Sequence, residues 1–531
     1  MPGRSDDLLT GLSIGTTNTT IVVAKNDSRY SESVRVIGLG EAASRGISKG
    51  IIVNPIEVQK SIVRAFEDAV NVTGISAERL RRNVVVAFNA MDVKSIMTPG
   101  MVVIGGGSDA QIVRKKDLER VIGTAKNRLA LPSNMFPLHT IPVHYDLDDR
   151  PVENPLNMNG TKLDVMLQTV ACPVTYISNV ITCVQNAGLE VREDVGVLLK
   201  PLASALGSVY EDEMRAGCIS ICVGGGCTGI TIFRGGRVFA VKSIPIGGNH
   251  ITNDLSTVLH MSLREAETNK RRIFIQEEED ALKSEGIDID AALEVVVARI
   301  EELFADYVRA ELEEYDPQLF PGGVILSGGV SYTPGIERVV ESILQLPVRP
   351  VDKPVYEMQY GHNNAFDVSA AGILRYLKLI ERDPYMFIPP NSPLPGLSRR
   401  YKQAAGSNPD RPDRPERGET QDTRSGFRAQ GDRRRGSARE IRNNIDDDDY
   451  LDSGTSELDD NYDDYDHDRE RERVYDDGYT QDNNNYLDDG DSTYYTDDGY
   501  AYGDDEDDKK STRETLSNFL TDLGNKLKDL F

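Results

Sequence analysis

Apolar residues in the first part of the chain come in short runs cut by glycine turns, a pattern that predicts alternating strands and helices. Leu8–Ile14 reads as a strand, Gly15-Thr16-Thr17-Asn18 as a turn, Thr20–Ala24 as a second strand and Val34–Leu39 as a third. The same arrangement returns later. Cys218–Val223, the turn Gly224-Gly225-Gly226, Ile230–Phe233, the turn Arg234-Gly235-Gly236 and Arg237–Ile244 repeat it. Helical periodicity at about Pro55–Val72 and Val174–Ala187 flanks the first copy. A duplicated meander, each copy opening on a glycine turn and followed by helix, predicts two related α/β lobes facing a cleft.

The pattern changes at the far end. From about Pro395 to Asp508 the chain is too polar to supply a core. Then Leu516, Phe519, Leu520, Leu523, Leu527, Leu530 and Phe531 return at the i, i+3/i+4, i+7 spacing that gathers apolar side chains on one helical stripe. Ser511 and Glu514 have the capping-box spacing at its start. With only polar sequence beside it, this stripe is expected to lie on a lipid interface; a partner protein or the chain's own body are the alternatives. Lys509, Lys510, Arg513, Lys526 and Lys528 are offset by Glu514, Asp522 and Asp529, so insertion rests on two Phe and five Leu. Each gains at most roughly 1.5–3 kcal/mol on full burial, so a single helix binds weakly and reversibly.

Charge sharpens this division. Between Asp446 and Asp508, 27 acidic residues stand against three arginines, which leaves −24 of the chain's net −26 in the tail. Arg399 to Arg442 is arginine-rich, so the tail is basic first and acidic second, and nucleic acid is not an expected partner. As an ideal coil, a tether of about 110 residues spans on the order of 60 Å, extended further by self-repulsion of its acidic half. The five cysteines, Cys172, Cys183, Cys218, Cys222 and Cys227, form no C-x-x-C pair and have no histidine at metal-site spacing. They predict a reduced, cytosolic protein and no metal centre. Met1 to Asp7 lacks the basic-then-apolar pattern of an export signal, and no segment approaches 18 consecutive apolar residues.

Glycine turns of this kind let backbone N–H groups close on an anion with no Cβ in the way. Gly15, Thr16 and Thr17 on one side, with Gly224, Gly225 and Gly226 on the other, would grip a polyphosphate between two loops. A third element, Val324-Ile325-Leu326-Ser327-Gly328-Gly329, ends a strand where a base or ribose can lie against backbone. Any one of these turns alone also fits a tight hairpin.

Together these residues resemble the actin/Hsp70/hexokinase superfamily, and within it the bacterial cell-division FtsA family. Ser44-Arg45-Gly46-Ile47-Ser48-Lys49-Gly50 is similar to a motif near that family's N-terminus. The stretch Ile244 to Asp254, with Gly247 in it, resembles the segment after its second phosphate loop, and Glu267 with Lys270 its nucleoside-contacting helix. Ala298 to Leu303 and Ser327-Gly328-Gly329 follow in family order, and a linker with an amphipathic helix completes it.

The resemblance implies a two-lobed actin-like fold with a strand-helix insertion. In family terms, subdomain 1A is expected at 8–82, 170–200 and 351–394, the 1C insertion at 83–169, 2A at 201–258 and 322–350, and 2B at 259–321. A disordered linker at 395–510 and a membrane helix at 511–531 follow. The resemblance also implies ATP binding, with contacts at Gly15, Thr16, Thr17, Gly224, Gly225, Gly226, Gly247, Glu267, Lys270, Gly328 and Gly329. It implies filaments of the chain lying on the cytoplasmic face of the membrane. The partners it implies are the FtsZ C-terminal peptide on 2B and later division proteins. Arg299 is the candidate partner-binding residue, with a place near the nucleotide as the alternative.

The chain departs from the superfamily pattern at its catalytic positions. Ser13 stands where an acid is usual, Asn18 where a lysine is frequent, and Cys222 and Gly229 replace the two aspartates of Asp-x-Gly-Gly-Gly-Thr-x-Asp. Those acids hold hydrated Mg²⁺ and help position water, which needs negative charge or a strong acceptor. The expectation is ATP held weakly or without ordinary Mg²⁺ dependence, and hydrolysed slowly or not at all. A PilM-type pilus assembly factor and an active Hsp70- or sugar-kinase-like ATPase are the competing readings on the same fold.

Overall fold

The structure is a computed structural model that describes residues 8–26, 34–104, 109–355 and 368–397. The linker and Leu516, Phe519, Leu520, Leu523, Leu527, Leu530 and Phe531 lie outside the described residues.

Two five-stranded sheets repeat one topology. In the first, Leu8–Ile14 pairs antiparallel with Asn18–Lys25, which pairs antiparallel with Arg35–Ala43. On its other side Leu8–Ile14 pairs parallel with Val85–Phe88, and that strand with Val197–Leu199. In the second, Cys218–Val223, Thr228–Arg234 and Arg237–Ile244 form the meander, and Val324–Ser327 and Val348–Pro350 add the parallel strands. The strand order is the same in both sheets, so the duplication legible in the glycine turns extends to strands the turns do not mark. Leu9 to Ile14 and Cys218 to Ile221 are buried without alternation, as expected of strands covered on both faces.

Helix Pro55–Thr73 covers the first sheet. Asn54 caps it by accepting from Glu57 N–H, Pro55 opens it, and Gly74 closes it in the left-handed region at φ 64°. Its Ala65 and Ala69 lie so close to Gly40 that any side chain there would overlap their backbone. Ala65, Ala69, Ile62 and Phe66 thereby join Val22 and Leu39 in the main core.

An antiparallel sheet of Lys94–Val103, Lys162–Pro173, Met135–Leu147 and Arg150–Val152 carries helix Lys115–Arg128 on one face. Its core is separate, built from Val102, Ile104, Leu118, Val121, Leu163 and Leu167 among others. This is the expected strand-helix insertion with one correction. Its boundary was expected at Asn83, but Val85–Phe88 is hydrogen-bonded into the first lobe's sheet, so the insertion starts beyond Phe88. An entirely apolar four-residue strand carries no periodicity to assign it to one sheet or another.

Two helices, Lys200–Ser208 and Val368–Arg382, pack on each other between the principal sheets. Gly207 and Gly372 sit at the crossing: a Cβ on Gly207 would overlap the Val368 carbonyl, and one on Gly372 the Ala203 carbonyl. Arg375, buried in the second helix, donates to the carbonyls of Leu206 (3.0 Å) and Val209 (2.6 Å), closing the C-terminus of the first with a cation.

Candidate functional site

The two glycine loops face each other. A Cβ built on Gly225 would stand 2.5 Å from Thr17 Cγ2, and one on Gly226 2.5 Å from Thr16 Oγ1, so only glycine permits this approach of the two turns. Within the first loop, Gly15 N–H donates to the Asn18 carbonyl at 2.9 Å. Within the second, Gly224 N–H donates to the Cys227 carbonyl at 2.9 Å. The Thr16 hydroxyl is buried without a hydrogen-bond partner, and so is that of Ser327 in the third glycine element. Buried polar atoms are nearly always satisfied, and these two, of seven unpaired buried side-chain oxygens among the described residues, lie beside glycine turns where a polar guest can pair with them.

Gly247 has a different position from the loops. Gly248 N–H and Asn249 N–H donate to the carbonyls of Gly224 (2.8 Å) and Gly225 (2.7 Å), and a Cβ on Gly247 would overlap Gly224. The segment braces the second loop from behind. Glu267 and Lys270 form an i,i+3 ion pair, but Lys270 Nζ also reaches the Gly248 carbonyl (3.2 Å) and Thr252 Oγ1 (2.8 Å) on the neighbouring helix. Burial pushes the Glu267 carboxyl up, and hydrogen bonds from Lys270, Thr252 and Arg271 more than offset this and hold it below the ordinary glutamate value. Gly328, at φ 92°, brings its strand end against Val223, where any side chain would overlap the carbonyl. Gly329 opens the short helical turn that follows and is exposed. Its neighbour Val330 and Lys270 both border Gly248, so the third glycine element and the Glu267 helix meet at one point.

Arg299 is elsewhere. Its guanidinium holds Asp254 through two hydrogen bonds, 2.6 and 3.0 Å, and Glu302 at 2.6 Å, tying helix Ile289–Glu302 to helix Gly248–Val258.

The positions that lack acids differ in what fills them. Ser13 is buried and its hydroxyl bonds Ser369 at 2.9 Å. Gly229 is buried with Pro201 against it: a Cβ would stand 2.7 Å from Pro201 Cγ and 3.1 Å from its Cα. No aspartate fits there without moving the Lys200–Ser208 helix. Cys222 keeps partial exposure, while burial pushes the Cys227 thiol up to about 12. Among the described residues no group of three or more His, Cys, Asp or Glu could hold a metal ion. The glycine cradle and its orphaned hydroxyls fit a polyphosphate; Ser13, Cys222 and Gly229 do not fit a carboxylate-held Mg²⁺.

Lys200 escaped the reading of the sequence. It is the lone charge in the apolar run Val195 to Leu206, at the first turn of the helix whose Pro201 packs on Gly229. Isolation among apolar neighbours was the available signal.

Relatives give the site its context. A family model described as "Cell division protein FtsA" matches residues 220–368, and one described as "SHS2 domain inserted in FTSA" matches 91–171. The Cell division protein FtsA of Pseudomonas aeruginosa is 32% identical over 361 residues, covering 65% of this chain and 83% of that relative. This chain belongs to the FtsA family. The FtsA of Bacillus subtilis is 29% identical over 367 residues, 66% of this chain and 80% of its own length. Among solved structures, a chain from a PilM-PilN type IV pilus biogenesis complex is 20% identical, with 70% of this chain and 99% of that one covered at a TM-score of 0.47.

As an FtsA-family protein the chain has the two-lobed actin-like fold, and its inserted-domain match beginning at residue 91 agrees with the boundary set by strand pairing. Among the described residues, no helix of this family member is long and apolar enough to cross a membrane.

Proposed function

We propose that this chain is a nucleotide-holding anchor of the division ring. The body binds ATP or ADP between Gly15–Thr17 and Gly224–Gly226 and turns it over slowly or not at all. Bound nucleotide supplies a multivalent anion that joins the two loops. The 511–531 helix attaches the body to the cytoplasmic face of the membrane, and copies of the chain line up as filaments whose avidity multiplies a weak helix–lipid contact. The tail peptide of FtsZ docks on residues 259–321, where Arg299 is our candidate contact, and later division proteins join the assembly.

The observation that carries this reading is the pairing, in one FtsA-family chain, of an intact glycine cradle with Ser13, Cys222 and Gly229 in place of acids. Holding is retained where the means of positioning Mg²⁺ and water is not. Support for the anchor comes from the apolar stripe Leu516 to Phe531.

The test is co-sedimentation of the full chain with anionic liposomes and fluorescent FtsZ tail peptide, with phosphate release followed in the same tubes. Liposomes should bring down protein and peptide together with negligible phosphate release. Leu523→Glu, which puts a charge in the centre of the stripe, should leave both in the supernatant. Unchanged sedimentation of that variant refutes lipid attachment by this helix, and robust Mg²⁺-dependent turnover refutes the holding role.

A further inference from the structure

The Lys200 ammonium lies directly against the first phosphate loop: a Cβ on Gly15 would stand 2.5 Å from Lys200 Nζ. It is carried on the helix that meets the strand after the second loop, where the next residue, Pro201, packs on Gly229. Cys227 is a neutral thiol at physiological pH, since burial lifts it far above its ordinary value. Among the described residues, Lys200 has neither an ion-pair nor a hydrogen-bond partner. Partial burial lowers its pKa, the direction expected where an ammonium loses part of its hydration.

Lys200 is half-buried, so an unpaired ammonium at the edge of the phosphate loop keeps a free face that an anion can meet. Three features at this point favour an anion: the ammonium itself, the orphaned Thr16 hydroxyl, and backbone turns that only glycine allows to approach. The ammonium stands beside the positions from which the acids are missing. Pro201, the next residue, is the group that packs on Gly229. One short stretch of chain therefore excludes an acid from the second loop and delivers a positive charge to the same place.

We propose that Lys200 is a built-in cation, so that the chain grips the terminal phosphates of a nucleoside di- or triphosphate without a divalent metal. This rests on the nucleotide-binding part of the function proposed above and deepens it. A metal ion neutralises phosphate charge and also orders water through its coordination shell, whereas an ammonium on a fixed stem supplies charge and up to three hydrogen bonds. The substitution keeps the hold and drops the ordered water. Binding should then be indifferent to Mg²⁺, because no carboxylate in the loops waits for it.

Calorimetric titration of the full chain with ADP and with ATP, each in excess EDTA and in millimolar Mg²⁺, tests this. For the native chain we expect affinities that agree within about threefold between the two buffers. Lys200→Met should lose about tenfold or more in EDTA, the usual size of a lost charge-assisted hydrogen bond. Its ligand-free melting temperature should stay close to or above that of the native chain, since the variant removes only a half-buried, unpaired charge. Lys200→Glu should bind in Mg²⁺ and fail in EDTA. The proposal is overturned if the native chain needs Mg²⁺, if Lys200→Met binds like the native chain, or if neither nucleotide binds in either buffer. Liposome and FtsZ-peptide sedimentation on the same preparations scores the anchor separately, so a failed cation and a failed anchor give different results.

Discussion

The crossing of helices Lys200–Ser208 and Val368–Arg382 offers the sharpest test of the packing. Gly372→Ala adds one methyl group at a point where its Cβ would overlap the Ala203 carbonyl oxygen and stand 2.6 Å from the carbonyl carbon and 3.0 Å from Gly207 N. Those atoms are backbone and cannot rotate away. The Ala203 carbonyl oxygen must move out beyond 3.0 Å from the added Cβ, so the helices must part by more than about 1 Å, against packing that includes buried Leu202, Leu206 and Leu374. Overpacking of this kind costs about 3 kcal/mol at the upper end of its ordinary range, offset by about 1 kcal/mol of better helix propensity for Ala over Gly. The net loss is about 2 kcal/mol. Gly123→Ala is the matched control, since Gly123 lies inside helix Lys115–Arg128 with nothing within 4 Å of the added atom. There the same methyl group should stabilise by about 0.5–1 kcal/mol. The chain has no tryptophan, so urea unfolding is best followed by far-ultraviolet circular dichroism. Opposite signs for the two variants are expected. If Gly372→Ala is as stable as the parent while Gly123→Ala gains, the two helices do not meet as closely as described.

Two further predictions concern pH and the second lobe. Burial drives the His139 pKa down to about 3, and its Nε2 accepts the Leu199 N–H at 3.3 Å. The unfolded chain takes up a proton near pH 6.5 that the folded chain refuses, so stability falls as pH drops below 6.5. Between pH 6.5 and 5 the loss is about 2 kcal/mol. His139→Gln, which does not titrate, should flatten that slope in urea unfolding at stepped pH, and parallel curves would contradict the burial assignment. Arg299→Ala and Asp254→Asn each break a half-buried bidentate pair and should each cost about 1–2 kcal/mol. A double-mutant cycle should give a double loss well short of the sum, and strict additivity would mean the pair contributes nothing.

Much of this arrangement was legible in the chain because it is local. The turns at Gly15 and Gly224 and the helix that starts near Pro55 declare themselves within a few residues. The strand Val85–Phe88 did not, because four consecutive buried apolar residues look alike in either neighbouring sheet. Glu267 and Lys270 were legible as neighbours on one helix, but not the reach of Lys270 to Gly248 and Thr252, which depends on how two helices pack. Gly229 was legible as a missing acid; that Pro201 makes the vacancy compulsory was not. Lys200 was invisible as a ligand group because its meaning comes from Gly15, 185 positions earlier in the chain and adjacent only in space.

The contact between Pro201 and Gly229 also limits what a single substitution can do. With the proline ring seated where an aspartate would stand, changing Gly229 alone does not install an acid; the helix behind it would have to move first, and that helix is locked to Val368–Arg382 at Gly207 and Gly372. An acid at this position therefore needs coordinated changes in a strand and two helices, and the packing insulates the loop from conversion one residue at a time.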